Sequence, residues 1–364
     1  MIGLTLLALT GCAGPFGGQP VQPSPWAVRE EVSQTLPINL PDRDGWARDI
    51  QVAFTTLNIP PRRENICAVL AVVEHQSDYQ LAPSNPQLPR LARTEIDERA
   101  ASSRVPAFII NAALNLRSAT GETYNERLDS VRTERELNAI FDDFIERVPL
   151  GSQLFGNLSP VQTGGPMRVD LKIAETYLDV YPYPLEGKPG DEVFTRRGGL
   201  FFGTAHLLGY PTDYDETVHR FADYRAGRYA SRNAAFQDAV ARLTGIDLDL
   251  DGHLIRPGSR EPGETELAVR SLAKQLRLDH QQIRESLEQG DALEFANTRL
   301  YNRVLRMAGR MEGREVPRAI APRTRQSAIG EKAGLSPELF AKQVSEHYQQ
   351  CIARASLKAA AVQP

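Results

Sequence analysis

The chain has 364 residues and a formal net charge of −4, from 42 lysines and arginines against 46 aspartates and glutamates. Hydrophobic residues make up 41% of it, which is enough to bury one large core or two modest ones. Because no excess of positive charge is present to neutralise a phosphate backbone, we do not expect nucleic acid as a partner.

A short apolar run over residues 2–9 opens the chain and is followed by Gly11 and Cys12. A run of this length is typical of a secretory signal because it is too short to span a bilayer. A cysteine after small residues resembles the bacterial lipobox, in which that cysteine becomes the lipidated first residue. We therefore expect residues 1–12 to be a lipoprotein signal peptide with Cys12 as its membrane anchor; the alternative is a chance apolar run. In lipoproteins of this class, a residue other than aspartate after the lipidated cysteine implies sorting to the outer membrane. Because that residue here is Ala13, we expect the protein on the periplasmic face of the outer membrane.

The elements predicted downstream are mainly helical. Residues 13–41 have few periodic apolar positions and predict a flexible tether. The helix over 64–77 is apolar on every face from Ile66 to Val73, so we expect it in the middle of the domain. Alternating residues over 246–255 predict a β-hairpin. Helices are predicted over residues 42–57, 64–77, 93–116, 121–148, 168–181, 198–208 and 215–243.

The last third of the chain predicts further helices. Ser336-Pro337-Glu338 is the clearest start signal, because it combines an N-cap residue, a proline at the first helical position and an acid. The predicted fold is mainly α, with a domain over residues 42–255 and a helical C-terminal extension over 256–364 packed on it. Cys67 and Cys351 either form a disulfide or are two separately buried thiols.

Glu74 is the candidate for acid chemistry, because it follows Val72 and Val73 at the end of an apolar helix. Burial against apolar neighbours raises the pKa of a carboxyl, which then holds a proton for the leaving oxygen of a glycosidic bond. No obvious second carboxyl lies nearby, although most glycosidases use two. The histidines show no metal-ligand spacing, so we expect no metal.

Three segments carry a resemblance to a known family: Glu74 to Tyr79, Gly165-Pro166-Met167-Arg168-Val169 and Tyr224-Arg225-Ala226-Gly227. In this order they resemble the motifs of the soluble lytic transglycosylases, and more closely those of a related family of uncharacterised bacterial lipoproteins. The resemblance covers roughly residues 45–245 and implies a lysozyme-like helical domain that acts on the glycan strand of peptidoglycan. It also implies that one glutamate acts as acid and then as base, that the sugar's own 6-hydroxyl attacks, and that no metal or organic cofactor is needed.

Three positions depart from the family pattern. Gln76 stands where the catalytic glutamate would be, and Glu74 lies two residues earlier, on a different face of a helix. Glutamine cannot donate an acidic proton, although it can hydrogen-bond a sugar. Arg168 replaces a glutamine and Arg225 replaces an asparagine, which adds positive charge suited to the carboxylates of the peptide stems.

The leading hypothesis is an outer-membrane lipoprotein that cleaves the MurNAc-GlcNAc bond of peptidoglycan as a lytic transglycosylase, with Glu74 as acid and base. The alternative is a non-catalytic peptidoglycan-binding lipoprotein whose active site is degenerate at Gln76. A third hypothesis is an envelope assembly protein in which the C-terminal helices matter more than the cleft. The expected substrate-binding residues are Gln76, Ser77, Gly165, Met167, Arg168, Tyr224, Arg225 and Gly227.

Overall fold

The computed structural model describes residues 24–185, 187–256, 258–323 and 335–362. The predicted signal peptide, the lipid anchor Cys12 and the first part of the tether lie outside these residues. The fold is mainly α, as predicted. Its helices are α1 (Pro25–Thr35), α2 (Arg43–Thr56), α3 (Arg63–Ser77), α4 (Leu88–Ser102), α5 (Ala107–Leu114), α6 (Tyr124–Ser130), α7 (Glu134–Arg147), α8 (Gly151–Phe155), α9 (Leu171–Glu175), α10 (Pro189–Val193), α11 (Arg196–Leu208), α12 (Val218–Ala226), α13 (Ala230–Thr244), α14 (Glu264–Ser271), α15 (Ala273–Leu276), α16 (His280–Leu287), α17 (Arg299–Glu312) and α18 (Pro337–Val362).

Helix α3 lies at the centre of the first hydrophobic core. Every residue from Ile66 to Val73 is at most 1% exposed, because α1, α11 and α18 contact the helix and residues of α2 belong to the same core. The prediction of a buried central helix is therefore confirmed. A helix that is apolar on all faces needs partners on all faces, and here elements from both ends of the chain supply them.

The last helix, α18, completes this core rather than packing outside it. It contributes Phe340, Val344 and Cys351 to the buried set, and Cys351 forms a disulfide with Cys67 of α3, with Cα atoms 5.6 Å apart. The predicted start of α18 is confirmed, because the Leu339 amide donates to the hydroxyl of the N-cap residue Ser336 at 3.2 Å.

Two further cores flank the first. Helices α4 to α8 lie between the first two motif segments in the sequence. They form a subdomain with its own aromatic centre, which includes Tyr124, Phe144 and Phe155. Helices α13 to α17 surround a third core, to which Leu248, Leu250 and Leu254 also belong. The hydrophobic cores therefore do not follow the predicted boundary between residues 255 and 256.

The tether prediction over residues 13–41 needs correction where the structure describes that segment. Pro25–Thr35 form α1, which begins with Ser24 as N-cap, and its Val28 and Val32 are buried in the first core. Apolar residues four positions apart and a proline at the first helical position were the signals for this helix.

The predicted β-hairpin is at a different place in the chain. Residues 246–255 form no strand pair with each other; Leu250 instead bridges Arg323, and the two residues exchange backbone hydrogen bonds of 3.0 and 2.8 Å. The small antiparallel hairpin pairs β1 (Thr163–Gly164) with β2 (Val169–Asp170). Alternation around Asp-Gly was misleading because Leu248, Leu250 and Leu254 all turn into the third core.

Several long predicted helices are interrupted. The segment 93–116 is split before Pro106, whose ring disfavours a helical conformation in the preceding residue. The segment 121–148 is split between α6 and α7, where Thr133 begins a new helix with a capping box. The segment 215–243 is split at Gly227, which has φ +110°. Of 168–181, only Leu171–Glu175 are α-helical, since Val169–Asp170 pair as a strand.

Candidate functional site

The second motif segment forms a tight loop, residues 165–168, between β1 and β2. Gly165 has φ +72° and Arg168 has φ 48°, and the Arg168 amide donates to the Gly165 carbonyl at 3.0 Å. A side chain on Gly165 would collide with the Val193 carbonyl and lie 3.2 Å from the Cα of Gly199. Glycine is therefore required at this position by both its backbone conformation and the space around it.

The 165–168 loop rests on the glycine face of α11, which corresponds to the helix predicted over residues 198–208. Met167 is fully buried, and a Cβ added to Gly203 would lie 2.7 Å from the Met167 Cβ. A Cβ on Gly199 would likewise meet the ring of Pro166. Glycines four residues apart on α11 let the loop approach the helix backbone.

The first and third motif segments hold this loop from the other side. The Ser77 hydroxyl lies 2.9 Å from the Pro166 carbonyl and 3.1 Å from the Val73 carbonyl of its own helix. The Tyr224 hydroxyl donates to the Met167 carbonyl at 2.9 Å, and both side chains are buried. The structure thus brings Ser77, Met167 and Tyr224 together, although their polar groups bind the protein's own backbone.

Glu74 faces α18. Its carboxylate lies 3.3 Å from the Arg354 guanidinium and 3.5 Å from the His347 ring, and its side chain is 20% exposed. The neighbouring His75 contacts the Gln343 amide at 3.0 Å on the same helix. The polar partners of Glu74 are therefore on α18, whereas those of Ser77 and Tyr224 are on the 165–168 loop. Gln76, which lies between Glu74 and Ser77 in the sequence, is partly exposed.

A second carboxylate, which the sequence did not suggest, lies beside the second motif. Glu134 begins α7 and pairs with the Arg168 guanidinium, and both line a small pocket of about 50 Å³ with Gly165. Burial raises the pKa of Glu134, and the Arg168 charge opposes that rise. Thr133 and Glu136 give a recognisable capping box at the start of this helix. No local signal in the sequence connects Glu134 with Arg168.

The third motif segment ends α12. Arg225 is exposed, and Gly227 turns the chain out of the helix with φ +110°. Asp223, the residue just before this segment, is buried and accepts hydrogen bonds from the Tyr214 hydroxyl at 2.7 Å and the Ser231 amide at 2.6 Å. Sequence reasoning missed Asp223, which anchors the end of α12 and thereby positions Tyr224.

His206 of α11 lies under Tyr224 and gives a pH-dependent prediction. Its Nε2 is 3.0 Å from the Tyr224 carbonyl, and burial holds its pKa below the ordinary 6.5. As pH falls below 6.5, this histidine therefore takes up a proton in the unfolded chain while it stays neutral in the folded chain. Stability is lost as a result. We expect the free energy of unfolding to fall between about pH 7.5 and about pH 5.5, by at most about 1.4 kcal/mol per unit from this group.

Urea unfolding at the two pH values checks this prediction. His206→Gln should remove part of the pH dependence, because an amide can keep the hydrogen bond without titrating. The exposed His280 offers a matched control, since His280→Gln should leave the dependence unchanged. Equal pH dependence in wild type and His206→Gln would contradict the assignment.

The contact between α11 and the loop gives a second prediction. We expect Gly203→Val to lower the free energy of unfolding by about 2–3 kcal/mol, because Met167 has no space into which to retreat. Gly190→Val is the control, since a Cβ there meets nothing within 4 Å. Chemical denaturation of both variants measures the difference, and equal loss in the two would contradict close packing at Gly203.

The described residues contain no group of three or more histidine, cysteine, aspartate and glutamate side chains placed to hold a metal ion. None of the helices in the described parts of the chain is long and apolar enough to cross a membrane.

The fold and the site define a mainly α-helical protein in which three separated segments meet at one glycine-bearing loop. The chain belongs to the family described as "Protein of unknown function (DUF1615)", which matches residues 39–354. It is 46% identical over 351 residues, 96% of each chain, to "Uncharacterized protein YaiW" of Escherichia coli (strain K12). No solved structure matches the chain. The predicted placement in a family of uncharacterised proteins is confirmed, and the resemblance to lytic transglycosylases stays a prediction.

Proposed function

We propose that this protein is an outer-membrane lipoprotein, anchored through Cys12 on the periplasmic face, that binds the glycan strands of peptidoglycan without cleaving them. The observation that carries the proposal is the meeting of the three motif segments at the 165–168 loop, with Gln76 at the position where lytic transglycosylases carry their acid. In this function the lysozyme-like framework serves as a binding surface, and its active site is degenerate.

The position of Glu74 supports binding rather than cleavage. A general acid must come within hydrogen-bond reach of the leaving oxygen. The Glu74 carboxylate instead lies between Arg354 and His347 on α18, which covers this end of α3. In this arrangement Glu74 therefore does not supply the acid that is missing at Gln76.

The exposed positive charge near the third motif fits a peptidoglycan ligand. Arg225 is exposed at the end of α12, one residue after the tyrosine that holds the 165–168 loop. Guanidinium groups form strong paired hydrogen bonds with carboxylates, which are carried by the lactyl groups and peptide stems of peptidoglycan. Gln76 would add an amide that hydrogen-bonds sugar hydroxyls.

Cleavage is a second candidate function, favoured by one observation. Glu134 reaches the 165–168 loop from α7, and burial raises the pKa of its carboxyl, as an acid catalyst requires. In this alternative, Glu134 would give its proton to the leaving oxygen and then take one from the sugar's 6-hydroxyl. The Arg168 ion pair would first have to open.

Incubation of the purified protein with sacculi separates the two functions. We expect the protein to sediment with the sacculi while no 1,6-anhydro muropeptides appear in the supernatant, under conditions where an active lytic transglycosylase releases them. Release by wild type would overturn the binding-only proposal, and its loss in Glu134→Gln but not in Glu74→Gln would assign the acid to Glu134. Failure to sediment would overturn peptidoglycan binding itself.

A further inference from the structure

An arginine-lined groove lies at the C-terminal end of α17, on residues that the candidate site does not use. It encloses about 510 Å³ and is lined by Arg306, Arg310, Arg314 and Arg318, with Asn302 among the other polar residues. Sites for small ligands and cofactors commonly occupy 300–1,000 Å³, so the groove is of suitable size.

The fold brings these arginines together for a simple geometrical reason. Arg306 and Arg310 are four residues apart and therefore share one face of α17. The helix ends at Glu312, and Gly313, with φ +68°, reverses the chain so that the Arg314 amide donates to the Gly309 carbonyl at 3.2 Å. Arg314 and Arg318 follow this turn and complete the arginine lining of the groove.

The opposite face of α17 fixes the groove in place. Leu300, Val304 and Ala308 are buried in the third core, so the helix cannot rotate its arginines away. Beyond the groove, the Ile320 amide donates to the Ser231 carbonyl at 3.0 Å, which holds the returning segment against α13. The helix and the returning segment that line the groove are therefore both supported by packed structure.

The charge of the groove is opposite to that of the whole chain. The residues that line the groove include four arginines and one acid, Glu315, whereas the chain carries a net charge of −4. Of the four arginines, Arg318 also lines a neighbouring pocket that contains acidic residues. Elsewhere, arginines such as Arg242 and Arg284 form ion pairs with carboxylates. Across the parts of the chain that the structure describes, no carboxylate forms an ion pair with any of the four groove arginines.

We propose that this groove binds a ligand carrying at least two phosphate groups. The planar fork of a guanidinium matches phosphate oxygens in pairs, and four arginines in one groove suit two phosphates better than one. A soluble diphosphate and neighbouring phosphate headgroups of a lipid surface share this chemistry. Binding at this groove does not depend on the residues proposed to bind glycan, because none of them lines the groove.

The test uses the full chain with Cys12→Ser in every sample, so that no lipid at that position inserts into a membrane. Inorganic pyrophosphate is titrated calorimetrically at low salt. Sedimentation with phosphatidylglycerol and phosphatidylcholine vesicles is compared with sedimentation with phosphatidylcholine vesicles alone. The groove variant is Arg310→Glu with Arg314→Glu, and its control is Arg90→Glu with Arg260→Glu, two exposed arginines away from the groove that give the same change in charge.

We expect the groove variant to bind at least about tenfold more weakly than the control variant, and added sodium chloride to weaken binding by wild type. Binding of pyrophosphate alone would support a soluble ligand, and binding of the anionic vesicles would support a lipid headgroup. Absence of binding to either probe would overturn the proposal. Equal weakening in both double variants would also overturn it, since it would show attraction to overall charge rather than to the groove.

Discussion

Replacing Gln76 with glutamate is expected to make the protein release 1,6-anhydro muropeptides from sacculi, at least about a hundredfold above wild type. The new carboxyl would stand where the proposed likeness to lytic transglycosylases places the catalytic acid, directly before Ser77, whose hydroxyl contacts the 165–168 loop. Chromatography of the soluble muropeptides measures the gain.

Two variants serve as controls for this gain. Gln76→Ala should release nothing, because it changes the same position without adding an acid. Adding Glu74→Gln to Gln76→Glu should leave the release unchanged, since Glu74 is paired with Arg354 on α18. If Gln76→Glu binds sacculi normally and still releases nothing, the cleft lacks more than its acid, and descent from a lytic transglycosylase site loses its main support.

Removing the disulfide should destabilise the protein strongly. We expect Cys67→Ala with Cys351→Ala to lower the free energy of unfolding by about 4 kcal/mol, because the bond closes a loop between residues 284 positions apart and so restricts the unfolded chain. The two cysteines are also fully buried in the first core, where truncation leaves less packing. Urea unfolding without reductant measures the loss.

Reduction offers an internal check on that prediction. Wild type unfolded in the presence of dithiothreitol should approach the stability of the double variant, whereas the double variant itself should not respond to the reductant. Cys12→Ala should behave as wild type, since Cys12 is not part of the bond. A loss below about 1 kcal/mol in the double variant would contradict a structural disulfide.

Local patterns predicted the parts of the fold that depend on neighbouring residues. The apolar stretch of α3 and the capping signal of α18 each belong to a few consecutive residues, and both predictions are confirmed. The tether and the hairpin went wrong where tertiary packing decided the outcome. Val28 and Val32 gain a core from distant helices, and Leu250 finds its backbone partner at Arg323.

The candidate site was predictable only in part, for the same reason. The order of the motifs indicated that Ser77, Met167 and Tyr224 belong together, and the structure joins them through hydrogen bonds to one loop. The partners of individual side chains could not be predicted from the sequence. Glu74 meets Arg354 across 280 positions, and the Glu134–Arg168 pair crosses 34 positions and two separate elements.

The seat of α18 within the central core has a consequence for how the chain matures. As the chain is made or exported from its N-terminus, the apolar helix α3 emerges well before α18, the helix that covers one of its sides. Until then α3 exposes a surface that attracts other unfinished chains. The protein therefore acquires its native centre only when its C-terminal segment arrives, and any product truncated before residue 337 is left with an open core.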